Sequence, residues 1–222
     1  MTSFDTEVSA SYPPKRRRNP RGEGARLREE ILDAATLLLE KTGSEDAISL
    51  RAIARQAGIA PPSVTRHFAD VTDIIDAVVA KETGVLHQAL LEAFAASSDP
   101  LPRLRKMVAA YLDYARSHPA RYRILVGRRF LDRWDAEGID MAETSPILAA
   151  NVALVAEAVQ ACIDTGATAG TDAYFDTTML WFSIHGLITV TGAITSIEWP
   201  AMDQLVEGCI SRAVRVVPAA GA

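Results

Sequence analysis

Seven cationic side chains crowd the start of this chain. Between positions 11 and 28, Lys15, Arg16, Arg17, Arg18, Arg21, Arg26 and Arg28 stand against the single Glu23, a local charge of +6. Groups at that density bind phosphate, because each guanidinium offers a planar fork of donors and a permanent charge. The whole chain is nonetheless acidic, with net charge −5 over 222 residues, and positions 71–222 carry −6. Such polarity suits a protein that meets a polyanion with its N-terminal end while the remainder repels it. Other chemistry is sparse: the four histidines are scattered. No nucleophile elbow, metal-ligand cluster, Walker loop or dinucleotide fingerprint is present, so no catalysis, cofactor or metal is expected. Cys162 and Cys209 lie on apolar helical segments without CxxC spacing and read as buried, reduced thiols.

The polar residues must be held by elements, and Ser49–Phe68 (SLRAIARQAGIAPPSVTRHF) supplies them. Leu50, Ile53 and Ala54 give a first helix one apolar face, with Ser49 as N-cap and Gly58 as a permissive turn. Beyond the turn Ile59, Val64 and Phe68 point inward, which leaves Ser63, Thr65, Arg66 and His67 to solvent or DNA. Proline-induced restriction of Pro61 predicts that the second helix starts at Pro62. Short helical hairpins also occur as plain packing units. Here, however, Leu27, Ile31, Ala34, Ala35, Leu38 and Leu39 precede the pair as an amphipathic helix ending at Gly43, and Ile74, Ile75, Val78 and Val79 begin another.

This arrangement, over about Arg26 to Val79, resembles the DNA-binding domain of TetR-family transcriptional regulators. The resemblance is carried by LRAIARQAGIAPPSVTRHFAD and the following DIIDAVV. It implies DNA contacts from Ser49, Arg51, Ala60, Pro61, Ser63, Thr65, Arg66 and His67, with Arg16, Arg17 and Arg18 added by a disordered arm over residues 1–24. That arm reads equally as a solvated tail. The chain departs from the family at Thr65, where a phosphate-contacting tyrosine is usual, at Val71, where lysine is usual, and at Ala60 and Pro62. These departures shift the expected binding towards the basic arm.

The remaining periodicity is helical throughout, and about nine helices in an all-α fold are predicted: a three-helix helix-turn-helix domain (25–71) and a helical ligand-binding and dimerisation domain (72–222). Helices are expected at Ala173–Ile197 and Ala201–Val217, with a loop over Gly138–Pro146. The apolar stretches break short of a membrane span, and the N-terminus lacks the apolar run of a signal peptide, so a cytoplasmic protein is expected. The helix from Ala173 is apolar almost all round and must be covered on more than one side. Trp181-Phe-Ser-Ile-His185-Gly186 resembles the Trp, His-Gly signature of the WHG class of TetR C-terminal domains. That resemblance implies a homodimer through the last two helices, with Phe182, Gly186, Thr189, Val206 and Ile210 at the interface.

Trp181 and His185 share a helix face, and with Tyr111, Tyr114, Phe130, Trp134 and Tyr174 they are candidate walls of a pocket for a small apolar or aromatic effector; the plainer reading makes them core. Together these features predict a ligand-responsive repressor that binds a pseudo-palindromic operator in double-stranded DNA as a dimer. The alternative is a small-molecule-binding or protein-interaction module of the same fold with weakened DNA binding.

Overall fold

A computed structural model describes residues 24–45, 48–126 and 145–218. The basic segment with Arg16, Arg17 and Arg18, and the predicted pocket residues Phe130 and Trp134, lie outside the described residues. So does most of the loop expected at 138–146. The described residues fall into two compact units that meet between Ile74 and Ile75.

In the first unit α1 (Gly24–Thr42) buries Ile31, Leu32, Ala34, Ala35 and Leu39. This is one stripe of a 3.6-residue repeat. The helix stops where Gly43 takes a left-handed φ of 66°. It packs on α2 (Leu50–Ala57), which packs in turn on α3 (Pro61–Val64). Ile53, Ala54, Val64 and Phe68 close this small core. One correction concerns α3, which begins at Pro61 rather than Pro62. Ala60 takes the extended conformation that precedes a proline, and Ser63 N donates to Ala60 O at 2.8 Å. Both prolines thus occupy first-turn positions, where a missing N–H is no loss.

The second unit takes up α4 (Val71–Ala95), whose first residues belong to the first unit, and continues with α5 (Pro100–Ser117), α6 (Pro119–Leu125), α7 (Pro146–Asp164), α8 (Ala173–Ala193) and α9 (Met202–Ala213). α5 packs on α6, α7 and α8, and α8 also packs on α7 and α9. Leu104, Met107, Val159, Cys162, Leu180, Ile184 and Ile210 fill the centre. Among the described residues there is no strand, only an isolated antiparallel bridge between Thr168 and Val216.

The last two helices end earlier than their apolar patterns suggest. α8 stops at Ala193, where the Trp199 indole donates to the Ile194 carbonyl at 2.9 Å and takes up a carbonyl released at the helix end. α9 stops at Ala213 because Arg215 adopts a φ of 56°, and Val216 and Val217 turn into the bridge instead. That turn sends the Arg215 guanidinium to the fully buried Asp176 at 3.2 Å. Contrary to the expectation that every apolar stretch falls short of a membrane span, α7 is by length and composition apolar enough to cross a membrane. In this chain it packs against α5 and α8 and gives Ala158, Val159 and Cys162 to the core.

Candidate nucleic-acid interface and effector site

The first unit is built to fix a short turn of helix. Ser49 sits in an extended conformation and its hydroxyl oxygen accepts from Ala52 N at 3.2 Å, capping α2. At the other end Gly58, with φ 65°, donates to Arg55 O at 3.2 Å, and Ile59 N donates to Ala54 O at 2.9 Å. A residue with a Cβ would be strained at this left-handed position, so the angle between α2 and α3 rests on Gly58. The buried Val64 and Phe68 anchor α3, and the Val64 carbonyl accepts from His67 N at 2.9 Å and Phe68 N at 3.1 Å.

The upper side carries the predicted contact residues. Ser49, Arg51, Ala60, Pro61, Thr65 and Arg66 are exposed, and Ser63 and His67 are half-buried. Thr65 is partly committed: its hydroxyl donates to the Pro62 carbonyl at 3.2 Å. A Cβ placed on Gly24 would lie 3.8 Å from His67 Cε1, so the chain enters α1 beside the recognition turn. The Arg28 guanidinium lies 4.9 Å from the centre of the Phe68 ring, which steadies one cation against the same corner. Asp73 accepts from Ala69 N at 3.0 Å and Asp70 accepts from Asp73 N at 2.9 Å, fixing the start of α4.

In the second unit the predicted aromatic set separates into three places. Tyr111 from α5, and Trp181 and His185 from α8, meet. They are joined by Tyr122 from α6, which sequence reasoning missed. Tyr111 Oη lies 2.7 Å from His185 Nε2 and Tyr122 Oη lies 2.9 Å from His185 Nδ1, while the Trp181 ring stands edge-on 4.6 Å from the imidazole. A neutral imidazole has one donor and one acceptor nitrogen, so one tyrosine donates to it and the other accepts. The Tyr111 and Tyr122 rings also stand edge to face, 6.0 Å apart. Burial holds His185 down to about 4 and pushes both tyrosines up. The imidazole is therefore neutral at physiological pH. The signal that could have found Tyr122 is its aromatic ring facing inward on the short helix that follows Pro119.

Tyr114 sits elsewhere: its hydroxyl donates to Glu82 Oε2 at 3.1 Å, and Glu82 also pairs with Arg121 at 3.5 Å. Desolvation, first, and the neighbouring carboxylate raise the Tyr114 hydroxyl. Tyr174 is 69% exposed and is not part of the group that Tyr111, Tyr122, Trp181 and His185 form among the described residues. A groove of about 250 Å³ does lie between α8 and α9, lined by Ser183, Gln204, Leu205, Gly208, Cys209 and Arg212. It is not formed by the predicted aromatic walls. Cys162 is buried as expected, but Cys209 is only half-buried on this groove; burial raises both thiols.

Of the residues expected at an interface, Phe182 is 56% exposed, and Gly186 and Thr189 are also exposed. Phe175, Met179 and Val190 extend this apolar surface along α8. Val206 is half-buried against the core. Ile210 is 1% exposed and belongs to the subunit's own core, because α9 turns that side of its helix towards α8. Its position takes it off the surface available to a second subunit.

A capped two-helix motif with an exposed polar side, followed among the described residues by packed helices, has the layout of a DNA-binding regulator. Two family models divide the chain accordingly: "Bacterial regulatory proteins, tetR family" matches residues 31–78, and "Tetracyclin repressor-like, C-terminal domain" matches residues 104–208. The chain belongs to the TetR family of transcriptional regulators. Among solved structures, a protein of unknown function from Rhodococcus sp. RHA1 is 25% identical with a TM-score of 0.72, over 89% of this chain and 98% of that one. The fatty acid degradation regulator FadR from Bacillus halodurans is 14% identical with a TM-score of 0.67, over 90% and 97%. AibR, solved in complex with isovaleryl coenzyme A and operator DNA, is 14% identical with a TM-score of 0.64, over 86% and 100%. The family and fold are those of transcriptional regulators rather than of enzymes.

Proposed function

We propose that the protein is a cytoplasmic, ligand-responsive repressor that binds a pseudo-palindromic operator as a homodimer. The observation that carries this reading is the recognition turn: Ser49 and Gly58 lock α2 and α3 while Arg51, Ser63, Thr65, Arg66 and His67 stand on its open side. Side chains so placed can contact base edges and phosphates in a major groove. α1 begins beside His67, which supports a reading in which the cations that precede it in the sequence, Arg16, Arg17 and Arg18, contact the DNA backbone. The apolar face of α8 around Phe182 and Gly186 supports a two-fold dimer, and such symmetry calls for a two-fold operator. Ligand response is supported by the fold shared with AibR, which holds an acyl-coenzyme A and operator DNA.

A second reading, a regulator-derived module with weakened DNA binding, draws on Thr65, whose hydroxyl is turned back onto Pro62. Fluorescence anisotropy decides between them, using labelled DNA from around the protein's own coding region, a salt series and random DNA as competitor. Tight binding that survives the competitor is the expected result. Binding that is weak and equal for all sequences would favour the module.

A further inference from the structure

Away from the aromatic group, three buried side chains among the described residues hold a polar atom without a partner: the hydroxyls of Thr168 and Thr177, and one end of the Asn151 amide. Asn151 on α7 is 6% exposed, and its Oδ1 lies 2.7 Å from Nδ1 of His87 on α4. With the amide in this orientation the imidazole nitrogen donates, and the asparagine Nδ2 has no partner among the described residues. A buried amide nitrogen without an acceptor is costly, and such groups in folded proteins call for an explanation. The surroundings supply one. Ile147, Leu148, Val152 and Val155 flank Asn151 on α7 and are only half-buried. The close backbone neighbours of α7 are α5 and α8, so α4 is held to α7 here by side chains. One turn before His87, Gly84 offers no side chain at all, and a Cβ there would still stand 4.0 Å from Ile147 Cδ1.

Resting on the ligand-responsive reading above, we propose that Asn151 is the hydrogen-bond donor of an effector site between α4 and α7, which takes an acyl compound by its carbonyl or carboxylate oxygen. A donor-only amide nitrogen selects an acceptor, and the aliphatic flank selects an alkyl body. His87 is a positioning residue: by donating to Oδ1 it fixes which end of the amide faces the site.

Octanoate is the probe, with octylamine and octanol as controls, and binding is followed by thermal shift and calorimetry on the full chain without DNA. Octanoate should stabilise the wild type in a concentration-dependent way. Asn151→Leu should weaken octanoate about tenfold, the scale of a lost hydrogen bond to a charged group. Asn151→Asp is isosteric, keeps the acceptor for His87 and removes the donor, so it should lose octanoate and gain octylamine. A structural asparagine predicts no such exchange of preference. Octanoate that binds the wild type and both variants equally, or fails to bind the wild type, would overturn the site, as would a wild type that prefers octylamine. Because no DNA is present, a failed operator search leaves this outcome unaffected.

Discussion

His185 shows how much of a residue's role depends on partners from elsewhere in the chain. Its four-residue spacing from Trp181 on one helix face is visible in the sequence, whereas its enclosure by Tyr111 and Tyr122 comes from α5 and α6. The enclosure sets its titration. Burial lowers the imidazole from 6.5 to about 4, so the folded chain resists a proton that the unfolded chain accepts between those values. The associated stability is fully present above pH 6.5 and is lost as pH falls through about 4. Between pH 7 and pH 5 this one group should cost the protein about 2 kcal/mol. Urea denaturation at the two pH values, on wild type and His185→Gln, measures it. The variant should lose about 2 kcal/mol less over the interval, and an identical loss in both proteins would show that the imidazole does not titrate in this way.

At the scale of elements, the helices were legible because burial on one side writes a 3.6-residue period into α1, α2, α5 and α9. Their ends were less so. Val214, Val216 and Val217 extend the apolar run of α9, but the backbone leaves the helix at Arg215 so that its guanidinium can neutralise buried Asp176, a contact of 39 residues' separation that no local pattern records. The aromatic set split for a related reason: aromatic type says that a ring is buried, and packing decides with whom. Tyr114 found Glu82 and Tyr122 took the place it was expected to hold.

α8 is the converse case, since its all-round apolarity was plain and the subunit leaves Phe175, Phe182 and Val190 uncovered. A Cβ at Gly186 meets nothing within 4 Å inside the subunit. Gly186→Leu should therefore leave the subunit folded, with a small gain in helix propensity. It should overpack a partner helix, and on that account loosen the dimer about tenfold or more. Sedimentation of the two proteins across a dilution series is the check. Undiminished association of the leucine variant would place the two-fold contact elsewhere.

Across the whole molecule, charge is distributed by task. An excess of cations precedes α1, and the sequence from Val71 onward is net negative, so attraction to DNA is confined to the end that carries the recognition turn. Of the exposed cations among the described residues of the first unit, Arg26, Arg28, Lys41, Arg51, Arg55 and Arg66, two (Arg51 and Arg66) are among the predicted contact residues, and α3 is a single turn. Affinity and sequence choice should then come from different residues. Each phosphate contact releases condensed counterions and adds about 0.9 to the slope of log affinity against log salt, whatever the sequence. Replacing Arg16, Arg17 and Arg18 together with alanine should lower affinity for operator and random DNA alike. The salt slope should become shallower by roughly one for every contact removed. Ser63→Ala and Arg66→Ala should act differently, altering preference among operator variants; Ser63→Ala should leave the slope nearly unchanged because serine carries no charge. Anisotropy across a salt series, run on the same DNA set for each variant, separates the two effects. An arm variant with an unaltered slope would mean that the N-terminal cations stay in solvent, and the recognition turn would then have to supply the electrostatic contacts from Arg51, Arg66 and His67.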